Sequence, residues 1–264
     1  MVENMRPSEA ILKLYVYLAC FVIMVPVVVV IGASVTKANY ISFPPDLFSL
    51  KWWGDFVSTD IYQRSTLLSI QISAASSVIT VAIALLSARV LARYKFRGKT
   101  ILNTMFNMPF TVPQVVFALA ALFFFSSMGP ILPVHFVICF VVMDLPLAIR
   151  TISANMSGLD PDIERAALVL GADSISAFFK VTLPLIKPGL IGAFLFSFLS
   201  SFNNTTISIF LSNPRYITLP VVIFQEIEFY AWPSLVAAAS FATILSLGIM
   251  GVIHRFVGIA SMYK

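Results

Sequence analysis

The sequence predicts an all-α integral membrane protein with six transmembrane helices and a polar helix-turn-helix between the fourth and the fifth. Three observations carry this. Of the 264 residues, 59% are hydrophobic and 11% charged, with a mean hydropathy of +0.95, whereas soluble domains carry about 25% charged residues. The charges are clustered, leaving uncharged windows from Leu14 to Thr36, Ser65 to Ala88, Thr100 to Met143, Pro188 to Pro214 and Phe229 to His254. Each is long enough for the ~20 residues a helix needs to cross the hydrocarbon core. None alternates apolar with polar residues, as the ~10-residue strands of a membrane barrel must.

The first span falls near residues 12–34. Arg6 and Lys13 precede it and Gly32, Ala33 and Ser34 follow, as in a secretory signal, but the run exceeds the roughly 7–15 residues of a signal core. It reads as an uncleaved span. The connection from Lys37 to Gln63 holds Phe43-Pro44-Pro45 and Trp52-Trp53, aromatics of the kind that anchor a chain at headgroup level. A second span follows near 63–90. The window from Thr100 to Met143 is about twice as long as one crossing requires, so the chain must turn back within it. Ser126-Ser127-Met128-Gly129-Pro130 supplies the break, because Gly permits positive φ and Pro cannot continue a helix. Spans three and four then lie near 101–125 and 131–151, span five near 186–211 and span six near 232–256. Residues 1–61 form an N-terminal span with an external loop and 62–256 one membrane domain, since no connection is long enough for a globular domain. The two halves lack the internal similarity of inverted-repeat transporters.

Orientation follows from Lys and Arg. Arg89, Arg93, Lys95, Arg97 and Lys99 crowd the second connection, and Arg150, Arg165, Lys180 and Lys187 flank or occupy the fourth. The positive-inside rule places both connections in the cytoplasm. Both termini then lie there too, with Arg6 and Lys13 at one end and Arg255 and Lys264 at the other. The opposite face keeps Lys37, Lys51, Arg64 and Arg215 beside Asp46, Asp55, Asp60, Glu226 and Glu228. A pI near 9.3 thus reflects topology, not nucleic-acid binding.

Between spans four and five, Asp160 can cap a helix that starts at Pro161, with Asp162 and Glu164 complementing its positive end. Gly171 stops it as a left-handed C′ residue. A second short helix starts at Asp173 or Ser174 and runs through Phe178 and Phe179 until Pro184 ends it. Ala166, Ala167 and Leu170 share one face of the first helix, where the alanines allow another backbone to approach.

This segment resembles the EAA motif in permease subunits of binding-protein-dependent type I ABC importers. The motif runs Glu-Ala-Ala, three residues, Gly, nine residues, a branched apolar residue, any residue, then Leu-Pro. Ala166, Ala167 and Gly171 match in spacing, Ala172 follows, and Val181-Thr182-Leu183-Pro184 closes the pattern. Arg165 occupies the Glu position, with Glu164 one residue earlier. The loop Arg93-Tyr94-Lys95-Phe96-Arg97-Gly98-Lys99, and Ser201-Phe202-Asn203-Asn204 followed by Pro214 and Thr218-Leu219-Pro220, look like the second permease of spermidine/putrescine-type systems. The resemblance covers most of the chain.

It implies half of a translocation pathway in the bacterial cytoplasmic membrane, importing a polyamine-like or related small organic solute. It also implies partners: a second permease, two cytoplasmic ABC ATPases that bind ATP and Mg, and a periplasmic or external solute-binding protein. In this family the short helices of the EAA loop fit a groove on the ATPase. Residues Glu164, Arg165, Ala166, Ala167, Leu170, Gly171, Ala172, Leu183 and Pro184 would carry that coupling, and an aspartate at Gly171 would fill the turn and charge the docking face.

Other polar residues stand inside apolar runs. Asp144, in the fourth span near Pro146, should face the bundle interior, a cavity or a partner charge such as Arg150, because a buried charge in the membrane is costly; it is a candidate for the translocation pathway as much as for a structural pairing. Asn203, Asn204, Thr205 and Thr206 form a polar cluster inside the fifth span, suited to interhelical hydrogen bonds or to a pathway. Its neutral amides fit a polycation less well than carboxylates would. An alternative reading is a self-contained ion-coupled transporter or channel using Asp144. His135, Gln71, Cys20 and Cys139 are expected to be packing or hydrogen-bonding residues. Gly98-Lys99-Thr100 lacks the upstream glycine and strand of a P-loop. With two histidines and no metalloprotease, paired-aspartate or Ser/His/Asp arrangement, the chain is expected to be neither an enzyme nor the holder of a metal or cofactor.

Overall fold

The computed structural model describes residues 7–94, 96–229 and 233–262, so Arg6, Lys95 and Lys264 lie outside the described residues. Among the described residues the regular structure is helical, with two isolated bridges, Thr36 with Phe48 and Asn213 with Tyr216. Among the described residues four helices are long and apolar enough to cross a membrane: α1 (Pro7–Ala33), α3 (Asp60–Arg93), α6 (Pro133–Ser157) and α13 (Pro233–Met262). Two bent pairs, Lys99–Thr111 with Gln114–Met128 and Ser174–Leu185 with Lys187–Phe202, bring the total to as many as six if each is one span. The chain divides into two compact units, Met1–Gln63 with Ile223–Ile244 and Arg64–Val222 with Leu245–Lys264.

In the first unit, α1 leaves its apolar side chains exposed from Leu12 to Val28, as suits a helix hydrophobic all round when lipid is the solvent. Past its end, α2 (Lys51–Ser58) folds back on the chain. Trp52 Nε1 donates to the Ala38 carbonyl at 3.1 Å and Trp53 Nε1 to Ser34 Oγ at 3.2 Å. Phe56 sits between the rings of Tyr62 and Phe241, 5.4 and 5.3 Å away. Trp52 is therefore buried in a small core and does not lie bare at the interface. An indole with a satisfied N–H packs well in such a place.

In the second unit, α3 presents Ser65, Ser69, Ser73, Ser76, Ser77, Thr80, Ala84 and Ala88 as one buried face of small residues. Spacings of three and four put these on one side of a helix, and small side chains let neighbouring helices approach closely. Two apolar clusters flank α6. One joins Phe136, Phe140 and Met143 to Phe125, Ile207 and Leu211; the other joins Ile149, Ile152 and Met156 to Phe178, Ile186 and Ala193.

The third and fifth spans are not continuous helices. Where 101–125 was expected as one rod, α4 (Lys99–Asn107) tightens into a 3₁₀ turn, Met108–Thr111, and α5 (Gln114–Met128) leaves at 95°. Pro113 is the physical reason, since it forces the preceding residue into extended backbone, as Val112 shows with ψ 129°. The anticipated break after α5 is present, with Gly129 at φ 143°. The fifth span, expected over 186–211, consists of α10 (Lys187–Phe202) and α11 (Thr206–Leu211), interrupted at Asn203–Thr205. Asn and Thr side chains compete for backbone hydrogen bonds. Asn204 Oδ1 accepts from the Ile207 amide at 2.9 Å, which restarts the helix as α11.

Between α6 and α10 come α7 (Pro161–Val169), α8 (Ser174–Ala177), a wide π turn Phe178–Thr182, and α9 (Leu183–Leu185). Pro184 does not end this segment as expected. The π turn, with the Leu183 amide donating to the Phe178 carbonyl, shifts the hydrogen-bond register ahead of Pro184. The proline then falls in the first turn of α9, where its missing N–H is harmless.

Candidate functional site

The helix-turn-helix is built by local chemistry. Asp160 Oδ1 accepts from the Asp162 amide at 2.9 Å and Pro161 opens α7. At the other end Gly171 stands at φ 92°. Its amide donates to the Leu168 carbonyl at 3.0 Å and the Ala172 amide to the Ala167 carbonyl at 3.1 Å, the two bonds of a Schellman turn. A Cβ on Gly171 would have no neighbour within 4 Å. The turn therefore has room for a side chain, contrary to expectation, and what disfavours most residues other than Gly, Asn and Asp is the left-handed backbone. Asp173 caps α8, accepting from the amides of Ile175 at 3.2 Å and Ser176 at 3.4 Å. Hydrogen bonds from Ser176, its side chain first and then its backbone, hold the Asp173 carboxyl below the usual carboxylate value.

Arg89, near the end of α3, ties this segment to the membrane helices. Its guanidinium lies 3.7 Å from the Glu164 carboxylate, 3.3 Å from Ser174 Oγ and 4.1 Å from the Phe178 ring centre. Glu164 also accepts from Thr182 Oγ1 at 3.0 Å. One arginine thus touches α7, the start of α8 and the π turn. Nothing in the sequence separates Arg89 from its basic neighbours, so it counts there only toward topology. Arg165, in the motif's Glu position, is exposed and paired with Asp162 at 2.8 Å.

Beside the turn the segment exposes an apolar patch. Val169 and Leu170, beside the turn, are 87% and 88% exposed, and Ile175 and Phe179 are also exposed. Arg165, Ala166, Gly171 and Pro184 are exposed, while Glu164, Ala167, Ala172 and Leu183 are half-buried.

Asp144 is buried in α6. Its partners are serines of α10, not Arg150: Ser200 Oγ donates to Oδ1 at 2.7 Å and Ser201 Oγ to Oδ2 at 2.8 Å. Ser201 Oγ lies 3.1 Å from Ser76 Oγ of α3. A buried charge is tolerated where its lone pairs are satisfied, and Arg150 stands about two turns further along α6. Asn203 Nδ2 donates to the Leu199 carbonyl and to Ser246 Oγ of α13, each at 3.1 Å. Thr205 and Thr206 are half-buried at the break. The residues expected to line a pathway therefore fall into two groups, Asp144 on a helix face and Asn203–Thr206 at a helix interruption. The serines that hold Asp144 read as ordinary apolar-run residues in the sequence.

Residues 80–258 match the family described as binding-protein-dependent transport system inner membrane component, and the chain belongs to that family. It is 28% identical over 219 residues to the putrescine transport system permease protein PotI of Escherichia coli K12, covering 78% of this chain and 75% of that protein. It is also 28% identical over 233 residues to the spermidine/putrescine transport system permease protein PotC of Haemophilus influenzae, covering 86% and 88%. Among solved structures it shares the fold of a chain in the bacterial alginate ABC transporter in complex with alginate pentasaccharide-bound periplasmic protein, with a TM-score of 0.68 at 13% identity over 94% of each chain. The chain is a multi-pass inner-membrane permease subunit of a binding-protein-dependent ABC importer, a non-catalytic component with no cofactor of its own. As such a component it is not a self-contained transporter.

Proposed function

We propose that this permease supplies half of a six-plus-six-helix translocation pathway and that α7, the Gly171 turn and α8 dock onto a cytoplasmic ATPase subunit. The observation that carries this reading is the exposure of Val169 and Leu170 beside a left-handed glycine. Large apolar side chains clustered at a polar segment's surface mark an interaction site. A turn closed by its own backbone bonds presents them at low entropic cost. The reading takes both termini and this segment as cytoplasmic, α4 with α5 as one crossing and α10 with α11 as another, and residues 62–256 as the importer domain.

The partners of this reading are a second permease, two ABC ATPases and a periplasmic solute-binding protein. The relatives named for putrescine and spermidine support a polyamine-like or related small organic solute. Asn203, Asn204, Thr205 and Thr206 line the route as neutral hydrogen-bonding groups. Asp144, whose two oxygens are engaged by serines, orders α6 against α10 beside it.

Gly171→Asp and Gly171→Asn test the docking. Both side chains tolerate left-handed backbone and meet open space, so they differ chiefly in charge. Gly171→Asp is expected to lose ATPase co-purification and solute uptake, and Gly171→Asn to keep most of both. Unimpaired ATPase recruitment and uptake with aspartate at this position would refute the assignment.

A further inference from the structure

A cavity of about 330 Å3 opens between α3, α4 and α6, within the ~300–1,000 Å3 range of small-molecule sites. Its polar lining is Lys99, Thr100 and Asn103 of α4 with Arg150, Ser153 and Ser157 of α6. Arg150, Ser153 and Ser157 are spaced to share one helix face, as are Lys99 and Asn103. Two cations therefore converge on one space, and no lining residue is acidic. Among the described residues neither cation belongs to an ion pair. Asp144, the carboxylate on α6 that could have neutralised Arg150, is held by Ser200 and Ser201 instead.

Ser153 Oγ supplies a second, independent sign. Ser153 is half-buried in the cavity wall, and its Oγ makes no hydrogen bond among the described residues. A third contribution comes from the helix that starts here. α4 follows Gly98, an N-cap residue that offers no side-chain cap, and the positive end of its dipole reaches the cavity through Lys99 and Thr100. Two cations on one cavity, a hydroxyl without a partner and a helix start without a side-chain cap together select a phosphate group.

We propose that this cavity binds a phosphate-bearing group, supplied by the headgroup of an anionic phospholipid. The surroundings favour the lipid over soluble phosphate. Leu91, Ala92 and Ile149 make the remaining wall apolar, and the adjacent α4 exposes Ile101, Leu102 and Met105, which gives an acyl chain a surface to follow. Basic pockets between membrane helices recognise headgroups in this way.

The test uses the full-length chain in mild non-ionic detergent, delipidated and then followed by intact-mass spectrometry. Phosphatidylglycerol, phosphatidylcholine and inorganic phosphate serve as separate probes. Wild type is expected to retain phosphatidylglycerol over phosphatidylcholine. The double variant Lys99→Gln, Arg150→Gln should weaken that retention about thirtyfold, as for two cations removed from a headgroup site. Because Arg150 replacement can disturb folding, Lys99→Gln alone, with unchanged helix content and monodisperse elution, should lose about fivefold. Displacement of the lipid by millimolar inorganic phosphate supports phosphate as the recognised group, while phosphatidylglycerol bound no better than phosphatidylcholine removes the lipid as its source. Wild-type retention of every probe by the folded variants overturns the site.

Discussion

Replacing Arg89 by Gln should loosen the whole helix-turn-helix from the membrane helices while leaving each short helix formed. Three contacts are lost together. The ion pair with Glu164 joins side chains 23% and 19% exposed and is worth about 0.5–1 kcal/mol when partly shielded. The guanidinium over Phe178 at 4.1 Å contributes about 0.5–1 kcal/mol. The long hydrogen bonds to Ser174, at 3.3 and 3.5 Å, contribute about 0.5–1 kcal/mol between them. The sum is about 2 kcal/mol, a shift of about thirtyfold in the opening equilibrium. Amide hydrogen exchange on the detergent-solubilised chain reads this directly. Exchange across Ile175–Thr182 should accelerate by about that factor, because local opening limits it. Lys180→Gln, which changes an exposed cation on the same segment, should leave exchange unchanged. Wild-type exchange in Arg89→Gln, or equal acceleration in the Lys180 control, would refute the assignment of Arg89 as the tie.

Asp144→Leu leaves the hydroxyls of Ser200 and Ser201 without their acceptor and should cost about 2–4 kcal/mol, read as a lower thermal midpoint in detergent; Asp144→Asn, which still bonds both serines, should cost under about 1 kcal/mol. At the crossing of α6 and α10, a Cβ on Gly189 would lie 2.9 Å from Asn155 Cβ. Gly189→Ala should therefore destabilise by about 1–3 kcal/mol, and adding Asn155→Gly should recover most of that loss in the same thermal assay. The Asp173 cap should persist from neutral pH down through the ordinary carboxylate range, since its folded pKa is depressed and its contribution disappears only as pH falls through that lower value. Exchange at the Ile175 and Ser176 amides followed against pH checks this, and Asp173→Ala should remove the protection at every pH.

Much of the fold is legible in the chain because its causes are local. Uncharged windows mark α1, α3, α6 and α13, since transfer of apolar residues into lipid depends on composition alone. Asp160, Pro161 and Gly171 mark the helix-turn-helix, since caps and left-handed turns follow from backbone sterics within a few residues. The interruptions at Val112–Pro113 and at Asn203–Thr205 carry their own signals, a proline and a run of backbone-competing side chains. Both are masked by the long apolar windows around them.

What the sequence determined by itself is therefore the medium, the helical class, the basic connections and the spacing from Gly171 to Leu183-Pro184 that marks the family. Tertiary structure alone decided which charges meet. Arg89 and Arg93 are equivalent in a list of residues, yet only the packing of α3 against α7 and the π turn brings Arg89 to Glu164, Ser174 and Phe178. Likewise Asp144 has Arg150 two turns away on its own helix but meets serines of α10, because side chains so far apart along one helix do not touch. Arg150 instead lines the cavity between α3, α4 and α6, as does Lys99. The physical reason is the same throughout: burial and caps act over a few residues, whereas the partner of a charge is set by contacts between distant segments.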